Sequence, residues 1–511
     1  MNIINVMKEN ALKHPERIIY EQANDLINHN ADNFLTWGQL WEYSGKLAEY
    51  IKEHTMYHNP IIVLGNKHPY MLVCFLACMR AGHAYCPVDV SVPEKRVQDI
   101  IDQVDPEIIL CTEELALYNE RIVTLSSMQE IVNHNYEISD AQLLAGDETA
   151  YIIFTSGSTG VPKGVKITRN CIENFVEWAE SLLPADVADK GLRFLNQAPY
   201  SFDLSVMDTY LALFTGGTVV ALDKETQSDM KTVMTALAAS DIDVWVSTPS
   251  FAEVCLTDRS FNKETLNHLK MMLFCGEVLS NKMARRLLRV LPDVAIVNTY
   301  GPTESTVAIT NVTIDETICD RNESLPVGVP KPGTIIEIQD ENGNVLPENE
   351  KGEIVVIGDT VSTGYWKNEE KTHAVFGTKH VDGKDVRFYR TGDAGYISEG
   401  NLYCSGRIDL QLKLYGYRLE LEDIERNLIQ LPYIAQVCVC PMERNGKVVS
   451  LTAVLVLAEP IAESDLRDRI RQDLADLLPS YMIPKKYVSV DYLPLTLNGK
   501  MDRKAIKGMI V

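Results

Sequence analysis

The sequence predicts an α/β fold, and three observations carry that reading. Apolar, strand-like runs alternate with segments of helical spacing through the first half of the chain. Between Leu325 and Tyr396 the runs shorten, take on β character and are broken by Gly and Pro. Beyond Arg407–Asp409 the charge balance changes and a new series of strands and helices begins. Strand–helix alternation calls for helical layers on largely parallel sheets, and the short β runs for a small barrel or β subdomain.

Taken in order, Thr36 to Lys52 has helical spacing, with Thr36 placed to cap ahead of Leu40, Tyr43, Leu47 and Ile51. Ile61-Ile-Val-Leu-Gly65 reads as a buried strand and Pro69 to Arg80 as a helix. Ala84-Tyr-Cys-Pro-Val88 is a further strand, Pro93 to Gln103 a further helix, and Ala150-Tyr-Ile-Ile-Phe154 another strand. Gly352-Glu-Ile-Val-Val-Ile-Gly358 is typical of the later β runs.

Bulk properties narrow the function. A chain of 511 residues exceeds one hydrophobic core. The net charge of −23 argues against a nucleic-acid partner. From Leu410 to Val511 there are 14 Lys/Arg against 13 Asp/Glu, whereas the residues before them hold 34 against 58. A nearly neutral C-terminal part on an acidic body suggests a second domain facing a different partner. The apolar run Met71-Leu-Val-Cys-Phe-Leu-Ala-Cys-Met79 is too short to span a membrane, so no membrane insertion is expected. The amino terminus lacks a signal-peptide pattern, and eleven scattered cysteines read as reduced thiols, so a cytoplasmic protein is expected. The pairs His54/His58 and Cys74/Cys78 lie four apart without further ligands and read as helix packing rather than metal sites.

One loop stands out. Phe154-Thr-Ser-Gly-Ser-Thr-Gly-Val-Pro-Lys-Gly-Val165 places glycines, hydroxyls and Lys163 directly after a strand. Glycine allows close approach of backbone N–H groups to phosphates, although the order of residues is not that of a Walker A loop. Four more segments follow: Asn298-Thr-Tyr-Gly-Pro-Thr-Glu304, Tyr389-Arg-Thr-Gly-Asp393, Gly406-Arg-Ile-Asp-Leu-Gln-Leu-Lys-Leu-Tyr-Gly-Tyr-Arg418 and Asn498-Gly-Lys500. In this order they resemble the adenylate-forming superfamily of acyl-CoA synthetases, luciferases and peptide-synthetase adenylation domains, over nearly the whole chain.

The resemblance implies a large N-terminal domain, residues 1–408, of two layered α/β sheets plus a small β subdomain. A smaller, mobile α+β C-terminal domain, 409–511, would follow a hinge at Asp409. It implies ATP and Mg²⁺. Thr155, Ser156, Gly157 and Lys163 would meet the phosphates. Asn298, Thr299, Tyr300, Gly301, Pro302 and Thr303 would form the adenine side, with Tyr300 stacking on the base. Asp393 would accept both ribose hydroxyls, and Cys404, Ser405, Gly406 and Arg407 would flank the ribose and phosphate. Glu304 would bind Mg²⁺ with help from Thr303, hard oxygens suiting that ion. Lys500 would bridge the substrate carboxylate and the α-phosphate, where positive charge offsets the meeting of two anions. Gly416 would let a phosphopantetheine arm pass.

The segment Asn196-Gln-Ala-Pro-Tyr-Ser-Phe-Asp-Leu-Ser-Val-Met-Asp208 bears on the substrate. In amino-acid-activating relatives an Asp at the place of Asp203 pairs with the ammonium, and a buried carboxylate needs such a cation. Leu204, Met207, Leu273, Cys275, Val307 and Ala308 would surround a small side chain. The wording of this segment, with Thr248-Pro-Ser-Phe-Ala-Glu-Val-Cys255, Leu273-Phe-Cys-Gly-Glu-Val278 and Thr391-Gly-Asp-Ala-Gly-Tyr396, resembles the D-alanine–D-alanyl carrier protein ligase branch of Gram-positive cell-wall modification. That branch implies D-alanine as substrate, Cys275 as a chirality-selecting residue, a separate carrier protein as partner, teichoic acids as the final acceptor, and a monomer. Leu497 and Ala394 depart from the peptide-synthetase pattern, Ala394 in agreement with the branch. The rival readings are an enzyme for L-alanine, glycine or L-serine, and a non-catalytic nucleotide-binding or carrier-docking protein.

Overall fold

The computed structural model describes residues 2–28, 34–90, 92–113, 120–155, 162–184, 191–408, 411–444, 447–494 and 501–510. The chain divides into two compact units. The first comprises Met1–Val90, Val104–Ile153 and Gly164–Ile408, and the second Ser91–Gln103, Phe154–Lys163 and Asp409–Val511. The fold is mixed α/β.

Among the described residues, a nine-stranded sheet forms the centre of the first unit. Its inner strands Ile18–Gln22, Thr218–Ala221, Arg193–Asn196, Val244–Ser247, Met271–Phe274 and Ala295–Tyr300 are neighbours in that order and all parallel. Antiparallel strands close both edges. A six-stranded sheet contains the parallel strands Ile61–Gly65 and Tyr85–Asp89, every residue of which is buried. Such continuous apolar strands are what a sheet covered on both faces requires. The β subdomain is a five-stranded antiparallel sheet built around the 15-residue strand Lys384–Ser398.

Local chemistry explains the elements. The helix Trp37–His54 starts where Thr36 accepts the Gln39 N–H and Gln39 reaches back to the Thr36 N–H, a reciprocal capping box. The helix Pro69–Arg80 is buried along its whole length, with Pro69 in its first turn and His68 as its cap. Cys74 and Cys78 pack inside it, as the sequence suggests. His54 and His58 do not: both are exposed, and His58 lies beyond the helix end at positive φ.

The described part of the second unit has its own core. The hairpin Gln411–Leu414/Tyr417–Glu420 and a three-stranded sheet, Ile434–Arg444, Lys447–Leu457 and Lys486–Ser489, carry apolar faces. The helices Leu421–Ile429 and Glu463–Ala475 contribute Leu421, Ile424, Leu428, Leu466, Ile470 and Leu474 to the same cluster. Tyr415 and Gly416 both have positive φ, so the hairpin turns through the tight two-residue connection that suits strand twist.

Candidate active site

Three parallel strands of the central sheet deliver the site residues of the first unit from their C-terminal ends. Arg193–Asn196 runs into the segment that reaches Asp203, Met271–Phe274 into Cys275, and Ala295–Tyr300 into Gly301 to Glu304. Ligand sites of open parallel sheets lie at this edge.

Asp203 stands at the head of the helix Leu204–Thr215 and is 6% exposed. Its side chain takes no capping hydrogen bond from that helix. Leu204, Met207, Leu273, Cys275, Val307 and Ala308 are all buried and belong to the same large apolar cluster of the first unit. The Cys275 thiol donates to the Val307 carbonyl at 3.5 Å.

That carbonyl belongs to a strained turn. Thr306 and Val307 hold φ of 60° and 65°, left-handed values unusual for a side chain with a branched Cβ. The turn is fixed by Thr306 Oγ1 donating to Thr360 O at 2.8 Å and by Ala308 N–H donating to Thr306 O at 2.8 Å. Gly301 packs against it: a Cβ there would lie 2.5 Å from Ala308 Cα and 2.7 Å from Val307 O.

Around the nucleotide motifs the geometry is dense. Tyr300 O–H donates to Asp393 Oδ2 at 2.6 Å, and Arg407 Nη1 donates to Asp393 Oδ1 at 2.8 Å and to Thr391 O at 2.9 Å. The strands bring this about, because Asp393 and Arg407 face each other across the pair Lys384–Ser398/Asn401–Arg407. A bulge follows, in which Cys404 pairs with Gly395, Gly406 pairs with Ala394 and Ser405 is the extra residue. Burial, and next the Asp393 charge, push the Tyr300 phenol well above its ordinary value, so it stays a donor. Asn298 and Thr299 are buried, with Asn298 Nδ2 donating to Pro326 O and Thr299 Oγ1 to Phe274 O. Their side chains hold the loop's shape.

Glu304 lies fully buried in the single turn Thr303–Ser305, and its Oε1 accepts the Tyr365 O–H at 2.8 Å. Its neighbour Ser305 has a buried Oγ with no hydrogen-bond partner among the described residues. A carboxylate beside hydroxyls, one of them orphaned, is a hard-oxygen donor set that fits Mg²⁺. Among the described residues no group of three or more His, Cys, Asp or Glu could hold a metal, so phosphate oxygens and water would complete such a shell.

In the second unit, Thr155 ends a strand and Lys163 begins the next, and Lys163 Nζ lies 2.7 Å from Glu420 Oε1. Ser156, Gly157, Asp409 and Lys500 lie outside the described residues. Sequence reasoning missed Lys67, a buried lysine bonded to Asn196 and Ala198, whose only signal in the sequence is a cation close behind a buried strand.

The family described as AMP-binding enzyme matches residues 7–366, and the AMP-binding enzyme C-terminal domain matches 423–500. The chain belongs to the AMP-binding enzyme family. Within that family, it is 46% identical to the D-alanine–D-alanyl carrier protein ligase of Listeria monocytogenes serotype 4b strain CLIP80459, over 98% of this chain and 97% of that one. It is 44% identical to the ligase of the same name from Bacillus cereus strain Q1, over 93% and 94%. Among solved structures, holo-PA1221, an NRPS protein containing adenylation and PCP domains bound to a vinylsulfonamide inhibitor, superposes with a TM-score of 0.83. That match has 27% identity and covers 99% of this chain and 84% of the other. The larger and smaller α/β parts are those of an adenylation domain.

Proposed function

We propose that this AMP-binding enzyme is an AMP-forming ligase. It activates D-alanine with ATP as D-alanyl-adenylate and transfers it to the phosphopantetheine thiol of a separate D-alanyl carrier protein, for D-alanylation of teichoic acids. The observation that carries the choice of substrate is Asp203, a buried carboxylate at the head of a helix, in a unit where the six apolar or weakly polar residues assigned to the pocket are buried as well. A buried carboxylate favours a cationic ligand, and the ammonium of a small zwitterion is one. The names of the relatives support D-alanine and a carrier.

In the first half-reaction a carboxylate oxygen of the amino acid attacks the α-phosphorus, and the bond to the pyrophosphate oxygen breaks. Asp203 pairs with the ammonium and so aims the carboxylate away from the apolar pocket. Asp393, held from both sides by Tyr300 and Arg407, keeps a lone pair on each oxygen for a ribose hydroxyl. Glu304 and Thr303 would hold Mg²⁺, which when bound neutralises phosphate charge. In the second half-reaction the thiol sulfur attacks the acyl carbon, AMP leaves and a thioester forms. Lys500 serves the first half-reaction and Gly416 the thiol arm. We assign 1–408 to ATP and amino-acid binding and 409–511 to a lid hinged at Asp409, with Thr155, Ser156, Gly157 and Lys163 on the phosphates.

Among the described residues no helix is long and apolar enough to cross a membrane, and none of the eleven cysteines forms a disulfide. An ATP substrate and reduced thiols fit the cytoplasm, where we assign the protein as a monomer. The test is ATP–pyrophosphate exchange with a panel of amino acids. D-alanine should give the fastest exchange and Asp203→Ala should abolish it. Exchange driven equally by L-alanine, glycine or L-serine would remove D-alanine as the substrate.

A further inference from the structure

Lys67 sits in the loop between the strand Ile61–Gly65 and the helix Pro69–Arg80 and is 5% exposed. Its ammonium has three N–H donors. Two go to Asn196 Oδ1 and Ala198 O, and Nζ lies 4.1 Å from the centre of the Tyr200 ring. One side chain thus holds alternate residues of the segment that leads to Asp203. Asn196 then passes the restraint on, its Nδ2 donating to Asp208 Oδ1 at 2.6 Å. Asp208 is fully buried in the helix that starts after Asp203. The lysine's own backbone is anchored from the central sheet, where Gln22 Nε2 donates to Lys67 O at 2.6 Å.

We propose that Lys67 is a positioning residue for amino-acid recognition: it clamps the chain on both sides of Asp203, directly at 196–200 and through Asn196 and Asp208 on the helix beyond. The proposal rests on the reading of Asp203 as the ammonium partner. Stability alone is a poor reason for the arrangement. Burial pulls the Lys67 ammonium down to about 7, against the raising effect of Asp208, and burial pushes Asp208 up to about 7. Buried charges linked only through an amide, as these are through Asn196, are commonly neutral or unfavourable for stability compared with apolar replacements. What the pair does is fix direction, in a segment whose neighbouring carboxylate must meet an ammonium at one point.

The experiment measures exchange by the full-length enzyme with D- and L-alanine for Lys67→Met, for Lys67→Met/Asp208→Asn, and for Asp203→Asn alongside. The double variant removes both charges and is expected to keep a melting temperature within a few degrees of the parent. It should raise KM for D-alanine about tenfold or more with KM for ATP within about twofold, and should lower the D-over-L ratio severalfold. The single variant should show the same split. If the single variant does not fold, the double variant decides. A double variant with parental KM for D-alanine overturns the proposal, as does a parallel rise in both KM values or a double variant that does not fold. If Asp203→Asn itself keeps the parental KM for D-alanine, the reading of Asp203 falls. If Asp203→Asn loses recognition while the double variant does not, only the clamp falls.

Discussion

His68 caps the helix Pro69–Arg80 with its Nδ1, which accepts the Tyr70 N–H at 3.2 Å. That role needs a neutral ring. Burial pulls the imidazole down from 6.5 to about 4. Above pH 6.5 the ring is neutral in folded and unfolded chain alike, and the cap is fully present. As pH falls below 6.5 the unfolded chain takes up the proton first, so stability is lost progressively until about pH 4. The loss amounts to up to about 3 kcal/mol over that window. His68→Asn keeps a capping oxygen without the titration. Its melting temperature should therefore fall less than that of the parent between pH 7 and pH 4.5. Parallel curves for the two proteins would show that another group governs the acid limb. Next to it, Lys67 is a buried group whose N–H donors, held on Asn196 and Ala198, are the working feature.

At the scale of elements, the proposed substrate pocket depends on two connections that fit only as a pair. The turn at Thr306–Val307 is held in a left-handed conformation, and the loop after Ala295–Tyr300 passes it without a side chain at Gly301. Gly301→Ala would force backbone apart at Ala308, at a cost of about 1–3 kcal/mol by overpacking. It should also move Val307 away from Cys275, so D-alanine-dependent exchange should drop at least tenfold; unchanged exchange would mean that the turn yields freely. Much at this scale was legible in the sequence. Ile61–Gly65 and Pro69–Arg80 are the strand and helix that the pattern predicts, because a fully apolar run and a Pro-initiated apolar segment leave few alternatives. The proposal of an Asp203 pocket comes from motif resemblance, since its residues occur in short, ordered segments. Lys67 was not. In sequence it is a polar residue between Asn66 and His68, and only the fold brings it to residues 196 and 198, well over a hundred positions away. The grouping of Ser91–Gln103 and Phe154–Lys163 with the C-terminal residues was equally hidden, since composition changes only near Asp409.

At the scale of the molecule, the two units differ in what they contain. All five tryptophans, Trp37, Trp41, Trp178, Trp245 and Trp366, belong to the first unit. Trp37 and Trp245 are buried in its two largest apolar clusters. The second unit has no tryptophan, and its cluster around Ile424, Leu428, Ile470 and Leu474 lies entirely within Asp409–Val511. Chains with separate cores commonly depart from two-state unfolding. Tryptophan fluorescence excited at 295 nm therefore reports the first unit alone. Far-UV circular dichroism also registers the helices Leu421–Ile429, Glu463–Ala475 and Arg503–Gly508 of the second. On titration with urea the two signals should give different midpoints, with a dichroism change that the fluorescence transition does not account for. A single transition that both probes trace at the same urea concentration would instead make the chain one cooperative unit.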